Sequence, residues 1–578
     1  MKYFTNTFLI STFFLVSCST RQLKTEAVQQ NTFHAEIADY AKNWDERKLA
    51  ALPTYETSGM CGGFPKINLK TAPGFCVGLI DNGEGTVFPR TSLQIDSKNI
   101  LVVDMGGWKE SNGKLYVLTL VNGKYIRKTI LDAAISKNVL VKKALDRPHL
   151  VLRGPDQKIY LSSTSMIVNL DPLAANIENT IKVVVDEIPN LGLHPLKVFT
   201  FDDQQNLFVN VGSATNVCKK QGILFDKKSE CSEVEDKQIG QAQVRKYLKN
   251  QDGTYSKNFV IYSKGLRNSM GLLWNKNLQL LFQAENGRDN IFENDKNLSN
   301  TDLPHEEFNI LSEGQSYGWP YCYDKNLNNP EWAGYNCSTQ TAPHILLPAH
   351  SSPLSLINYQ GDLFPAWYKN RMLISFHGYE PRGHRIVAYL RDDKGLPTKD
   401  PLSIVYGWDA TGNQPKGSPV GLSEMSDGSV LIVEDKNRKV LRLFYDVKLG
   451  DGKPVNEIPA FVKSADEQKN IVMKQKLDTA LTGQNPPLFA KIQNQIIDKH
   501  CTGCHSGADA RGLELAPFDF EANEKRILEN KKQNQILSHL RGENNFAQMP
   551  PDGFKDASEQ RQIIDLYIQW LTLNSALK

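Results

Sequence analysis

The chain has almost no net charge for its size. Its 578 residues carry 67 Lys and Arg against 64 Asp and Glu, a net charge of +3. No basic cluster with interleaved aromatic residues occurs, so the electrostatic footprint of a nucleic-acid binder is missing. Long apolar runs are scarce as well. The stretch Phe8 to Val16 is too short to span a bilayer permanently. Cysteine is sparse, with 9 residues, and none follows Cys504. That absence argues against a zinc site built from paired CxxC motifs at the C-terminal end. What remains is the composition of a soluble globular protein, 40% hydrophobic and 23% charged, long enough for two or three domains.

What is present begins with Cys501-Thr502-Gly503-Cys504-His505. Two thiols one helical turn apart can each bond a vinyl group of one haem, and His505 can reach the iron from the same face. The alternatives for such a motif are a zinc site or a redox pair. Met549, in Gln548-Met549-Pro550-Pro551, offers a second axial ligand, and the prolines fix the backbone around it. From about 486 the pattern is helical. Asp556 to Leu573 is predicted as one helix, with Asp556 and Glu559 as a capping box and Ile564, Tyr567, Ile568 and Leu571 on its apolar face. This order resembles a class I cytochrome c. A small all-α domain is therefore expected over 486–578, with haem c bonded to Cys501 and Cys504 and its iron held by His505 and Met549.

The start of the chain reads as an address. Lys2, the apolar stretch and Leu15-Val16-Ser17-Cys18 resemble a bacterial lipoprotein signal over 1–18, with Cys18 carrying the lipid that anchors the protein to a membrane. An ordinary cleaved signal is the alternative. Ser19 after the cysteine fits outer-membrane sorting, so the expected location is the cell envelope, on the periplasmic face. Residues 19–50 read as a polar tether and 449–485 as a linker. Cys61, Cys76, Cys218, Cys231, Cys322 and Cys337 fall into three pairs of sequence neighbours, as loop-stapling disulfides in an oxidising compartment would. Loops of this length would each contribute roughly 3 kcal/mol in the chain-entropy model.

Between 51 and 448 the texture is all-β. Six short apolar runs recur, each preceded by a turn: Asn99 to Val103, Lys158 to Leu161, Asn206 to Val209, Leu278 to Phe282, Met372 to Phe376 and Ser429 to Val433. Two of the turns are nearly alike, Pro155-Asp156-Gln157-Lys158 and Ser426-Asp427-Gly428-Ser429. Irregular repeats of one strand type predict a six-bladed propeller, with an array of two-sheet sandwiches as the alternative.

Within this region Gly265-Leu266-Arg267-Asn268-Ser269-Met270-Gly271-Leu272 is followed by Glu285-Asn286-Gly287-Arg288-Asp289. His305-Glu306-Glu307-Phe308-Asn309 and Gly314-Gln315-Ser316-Tyr317-Gly318-Trp319-Pro320 come next, then Leu347-Pro348-Ala349-His350 and His377-Gly378 with Arg382. The series resembles soluble quinoprotein sugar dehydrogenases of the sorbosone and pyranose dehydrogenase branch. The resemblance implies a propeller that binds pyrroloquinoline quinone (PQQ) and calcium in its central cleft and oxidises a sugar or related aldehyde. It further implies His194 as the base, Arg267 and Asn268 on quinone and substrate, and Arg90, His377 and Arg382 on the cofactor. Glu285, Asn286, Gly287 and Arg288 would form the calcium loop. Ser418 stands where the family carries an arginine, with Lys416 nearby as a substitute point charge.

The residue types suit that chemistry. Hydride transfer from a hydroxyl-bearing carbon needs a base for the proton, a cofactor for the hydride and cations for a tricarboxylate quinone. The expectation is an exported enzyme whose reduced quinone feeds the haem, which hands electrons to a downstream respiratory acceptor. The other reading is a propeller that binds a glycan or a protein and carries an electron-transfer cytochrome; a haem sensor or scaffold is a third.

Overall fold

The computed structural model describes residues 55–220, 223–224, 230–236, 240–291, 295, 298–299, 301–378, 382–408 and 417–455. Toward the C-terminus it describes 473, 476–477, 479–482, 486–501, 515, 519–529, 532–541 and 557–576. The chain divides into two compact units, Met1–Asp289 with Asn300–Pro459, and Asn290–Ser299 with Ala460–Lys578.

The first unit holds six sheets of four to six strands, the blades of a propeller. From inner to outer strand, blade 1 is Pro89–Gln94, Asn99–Asp104, Lys114–Val121 and Lys124–Asp132. Blade 2 is Val151–Arg153, Ile159–Ser162, Ile167–Leu170 and Lys182–Val185. Blade 3 is Phe199–Phe201, Leu207–Val211, Gln243–Lys249 and Tyr255–Lys264, with Gln315–Ser316 parallel on its outer edge. Blade 4 is Gly271–Asn275, Leu280–Glu285, Glu306–Leu311 and Ile345–Leu347. Blade 5 is Pro353–Asn358, Met372–Phe376, Arg385–Arg391 and Pro397–Tyr406, with Lys70–Thr71 on its outer edge. Blade 6 starts with Pro419–Glu424, Val430–Glu434 and Lys439–Tyr445. It is completed by strands from the other end of the unit, Phe75–Asp81, Phe64–Ile67 and Thr57–Cys61. This mixed parentage closes the ring, and the Cys61–Cys76 disulfide staples two of the closing strands. The two-sheet array is set aside.

Each of the six apolar runs is the second strand of a blade, and packing explains why. A second strand is covered on both faces, so its residues are apolar without alternation. Alternate side chains enter different cores. Val430 and Ile432 pack between blades 5 and 6, whereas Leu431 and Val433 pack between blades 6 and 1. Leu101 and Val103 likewise face blade 2, and Ile100 and Val102 face blade 6. Three further clusters fill the junctions 2–3, 3–4 and 4–5. At roughly 1.5–3 kcal/mol per buried aliphatic or aromatic side chain, these six cores fix the ring.

Two further disulfides, Cys218–Cys231 and Cys322–Cys337, complete the pairing expected from sequence proximity. They share a satellite core with Trp319, Tyr321 and Trp332, built on the loops of blades 3 and 4.

The second unit is helical. Leu488–Ile492 runs into a π-helix over Gln493–Cys501, and Phe520–Glu529, Gln533–Arg541 and Ala557–Ala576 are α-helices. In the last of these the buried face is Ile563, Tyr567 and Trp570, one residue away from the predicted face. Trp570 sets that rotation, because its ring packs on Phe489 at 5.1 Å and Tyr567 at 5.3 Å. Cys501 packs at the edge of this core. Among the described residues no helix is long and apolar enough to cross a membrane. Cys18, Lys416, Cys504, His505, Met549 and Asp556 lie outside the described residues.

Glu434 ends the second strand of blade 6 in full burial. The Tyr55 hydroxyl lies 2.7–2.8 Å from its carboxyl oxygens, and Trp408 and Asn437 donate to that hydroxyl at 3.0 and 2.9 Å. Burial pushes the Glu434 carboxyl up to about 8. The fold therefore holds a proton that the unfolded chain releases near pH ~4.5. This contribution is complete below that pH and is lost as pH rises through about 8. Urea denaturation at pH 5 and pH 9 is expected to show a smaller alkaline loss in Glu434→Gln than in wild type, by on the order of a few kcal/mol. Equal losses would refute the assignment.

Candidate active site

In each blade the inner strand starts, and the second strand ends, on the same face of the ring. A cavity of about 310 Å³ opens there, lined by residues from those positions. His194 and Leu196 precede the inner strand of blade 3, and Arg267, Asn268 and Met270 precede that of blade 4. Arg90 opens blade 1, Asn286 and Asp289 follow the second strand of blade 4, and His377 follows that of blade 5. Six residues expected from the sequence thus converge: His194, Arg267, Asn268, Arg90, His377 and Asn286.

His194 is held by the turn after the second strand of blade 3. Its Nδ1 lies 2.9 Å from Ser213 O and 3.0 Å from Ser213 Oγ. The Ser213 hydroxyl donates to Thr215 O at 2.7 Å, so both Ser213 atoms present lone pairs to the ring. Nδ1 must then carry the hydrogen, leaving Nε2 as the acceptor. Burial, followed by the Arg267 cation, holds the imidazole well below its usual range, so it is neutral at pH 7. This close approach requires glycine at 212, where a Cβ would come within 2.6 Å of His194 Cβ.

Arg267 joins the loops of blades 3 and 4. Its carbonyl accepts from Ser213 N at 2.7 Å. Its Nη1 donates to Asn286 O at 3.1 Å and Gly287 O at 2.5 Å, and its Nη2 to Asp289 at 2.7 Å. Its Nε is buried without a partner, as are Asn268 Oδ1 and Asn286 Oδ1. One orphaned donor and two orphaned acceptors in the same pocket are the marks of a site built for a ligand. The donor suits an anionic or quinone oxygen, and the acceptors suit a hard cation or a hydroxyl.

The rest of the expected calcium loop faces elsewhere. The Asn286 and Gly287 carbonyls are taken by Arg267. Glu285 is buried and accepts from Arg267 N at 2.7 Å. Arg288 is turned to Glu331 in a buried pair of 2.5 Å. Glu285, Gly287 and Arg288 line a separate cavity of about 20 Å³ beside Glu307. Burial raises the Glu285 and Glu307 carboxyls, which lets neighbouring acids coexist there. Asn286 alone of the four lines the cavity that holds His194. Arg382 does not line it either; its guanidinium is 3.0 Å from Asp302. Ser418 is fully buried 3.0 Å from His384 Nδ1, away from the cavity.

Asp435 is the functional residue that the sequence reasoning missed. It accepts from Arg90 Nη1 at 2.8 Å and lies 3.0 Å from His377 Nε2. Burial raises its carboxyl, but His377 and Arg90 together outweigh burial and hold it below the usual range. Arg90 Nε also lies 3.2 Å from His149 Nδ1, which accepts because burial and Arg90 keep His149 neutral. A sequence signal existed: Asp435 stands two residues after the apolar run Ser429 to Val433, where each run delivers the chain to the site face. Asp435→Asn takes the carboxylate from the buried Arg90 guanidinium, so denaturation is expected to show a loss of about 3–5 kcal/mol. A loss below about 1 kcal/mol would mean that the pair is solvated.

Comparison with known proteins fits this architecture. An uncharacterised protein of Borreliella burgdorferi is 26% identical over 330 residues, 53% of this chain and 78% of that protein. Iodide and calcium structures of Trichoderma reesei Carbohydrate-Active Enzymes Family AA12 superpose with TM-scores of 0.51 and 0.50. Both are 20% identical and cover 69% of this chain and 100% of theirs, a likeness of fold. The TrAA12-like family model matches residues 69–405, more than half of the sequence, and the chain belongs to that family.

Proposed function

We propose that the propeller is a PQQ- and calcium-dependent dehydrogenase acting on a sugar, alcohol or aldehyde, and that its electrons leave through a haem c in the C-terminal unit. The observation that carries this reading is a neutral His194, with Nε2 as its acceptor, in one cavity with Arg267 and Asn268. His194 is suited to take the substrate hydroxyl proton. Arg90 and Arg267 would hold the carboxylates of the quinone, and Asn268 and Asn286 offer carboxamide oxygens to calcium or to substrate hydroxyls. Bound there, the quinone supplies the hydride acceptor that no side chain can provide, and calcium polarises it. Leu196, Met270 and Leu354 give the cavity an apolar wall that limits water.

In the C-terminal unit Cys501 sits against an apolar core, as a haem-bonded cysteine would. We assign the covalent haem to Cys501 and Cys504, with His505 and Met549 on the iron. Fusion to the propeller raises the effective concentration of the electron acceptor. Three disulfides support export, consistent with a lipid anchor at Cys18 on the periplasmic face of the envelope. A downstream carrier would take the electrons.

One observation favours a second reading. Arg90 and Arg267 each face a carboxylate, Asp435 and Asp289, so the described cavity is close to neutral. A neutral glycan would suit such a pocket without any quinone.

Anaerobic spectroscopy separates the two. Full-length protein carrying haem is mixed with PQQ, calcium and a panel of aldoses and aldehydes. The expected result is haem reduction that needs PQQ and sugar together and falls at least ~100-fold in His194→Ala. Sugar binding without PQQ binding or haem reduction would leave the propeller a binding module. The acid limb of kcat/KM is also expected well below pH ~6.5, because His194 is held neutral. A limb at or above that value would contradict the role of His194.

A further inference from the structure

Glu233 is a half-buried acid that no step above uses. It lies in the short helix Ser232–Glu235, which Cys231 precedes. Its carboxylate accepts from Ala214 N at 2.7 Å, Thr215 N at 3.2 Å and Thr215 Oγ1 at 2.6 Å. Thr215 Oγ1 in turn accepts from Cys218 N at 2.8 Å. Cys218 and Cys231 are joined as a disulfide whose sulfurs lie within 4.8 Å of the Glu233 carboxylate. The turn so gripped contains Ser213, whose hydroxyl is directed to Thr215 O and whose lone pairs fix the hydrogen on His194 Nδ1. Gln241, whose N–H donates to Glu233 O at 2.6 Å, also ties the start of this turn, donating from its side chain to Gly212 O at 2.9 Å and Leu191 O at 3.0 Å.

We propose that Glu233, anchored by the Cys218–Cys231 disulfide, is the positioning residue that holds His194 in the tautomer and orientation a general base needs. It touches neither cavity nor substrate and acts through Thr215 and Ser213. Burial raises this carboxyl above its usual range, and its three convergent donors, two backbone N–H groups and the Thr215 hydroxyl, tie it to the turn. The disulfide restricts where that carboxylate can go. Both act on the side of the imidazole away from the cavity, which is where the tautomer is decided. The proposal rests on the dehydrogenase reading, in which His194 is the base.

The test uses the full-length, haem-bearing protein with PQQ, calcium and a sugar that reduces the haem. Glu233→Gln keeps the volume and one acceptor oxygen but loses the charge and one acceptor. It is expected to lower kcat about tenfold with KM within about twofold, and Glu233→Asp is expected to recover part of the loss. Cys218→Ser/Cys231→Ser is expected to lower kcat in the same way, whereas Cys61→Ser/Cys76→Ser in the closing blade leaves it unchanged. Amide exchange over 212–216 reads the grip without turnover and is expected to speed up in Glu233→Gln. If exchange speeds up but wild type shows no turnover, the grip stands and the enzyme reading fails. If wild type turns over and Glu233→Gln changes neither kcat nor exchange, the positioning role is overturned. A rise in KM alone would also overturn it.

Discussion

Four residues, Ser213 to Asn216, hold the junction on which the site depends. Ser213 N donates to Arg267 O, and Ser213 O and Oγ hold His194. Asn216 and Asp289 exchange two hydrogen bonds, each of 2.9 Å, and Asp289 pairs with Arg267. Trp319 Nε1 donates to Asn216 O at 2.9 Å, joining the turn to the satellite core with its two disulfides. The His194 imidazole, the Arg267 guanidinium and the loop beside them are therefore referred to one short turn. Each neutral hydrogen bond contributes only about 1 kcal/mol net, but a buried partner left unmade costs about 1–3 kcal/mol. The turn is fixed by the number of groups that would be orphaned if it moved.

The ring gives that turn its place. Six cores between blades set where every inner strand starts and every second strand ends, so the site face follows from apolar packing alone. This is why the architecture was legible in the sequence. A strand sandwiched between two cores must be apolar throughout, and six such runs, from Asn99 to Val433, mark the six blades. The closing strands were not legible. Phe75–Asp81 pairs with Lys439–Tyr445 across almost the whole unit, and nothing local marks that partnership.

The site was legible where the chemistry is carried by adjacent residues, as in Arg267-Asn268 and Asn286. It was not legible where a partner far along the chain decides the outcome. Arg288 looks like a ligand-loop residue until Glu331 is seen to claim it, and Arg382 until Asp302 does. Asp435 was overlooked because it lies outside the motifs that carry the resemblance, although its place just beyond an apolar run marks it as site-facing. On the last helix the packing of Trp570 against Phe489 rotated the buried face from the one that periodicity alone chose.

The physical account of the propeller therefore centres on one imidazole and what lies behind it. Its neutrality comes from burial and the Arg267 cation, and its tautomer from Ser213. The most direct check is the ¹⁵N chemical shifts of the His194 side chain in histidine-labelled protein at pH 7, assigned against His194→Ala. The account predicts a neutral ring with hydrogen on Nδ1 and a bare Nε2. An imidazolium, or a hydrogen on Nε2, would contradict it.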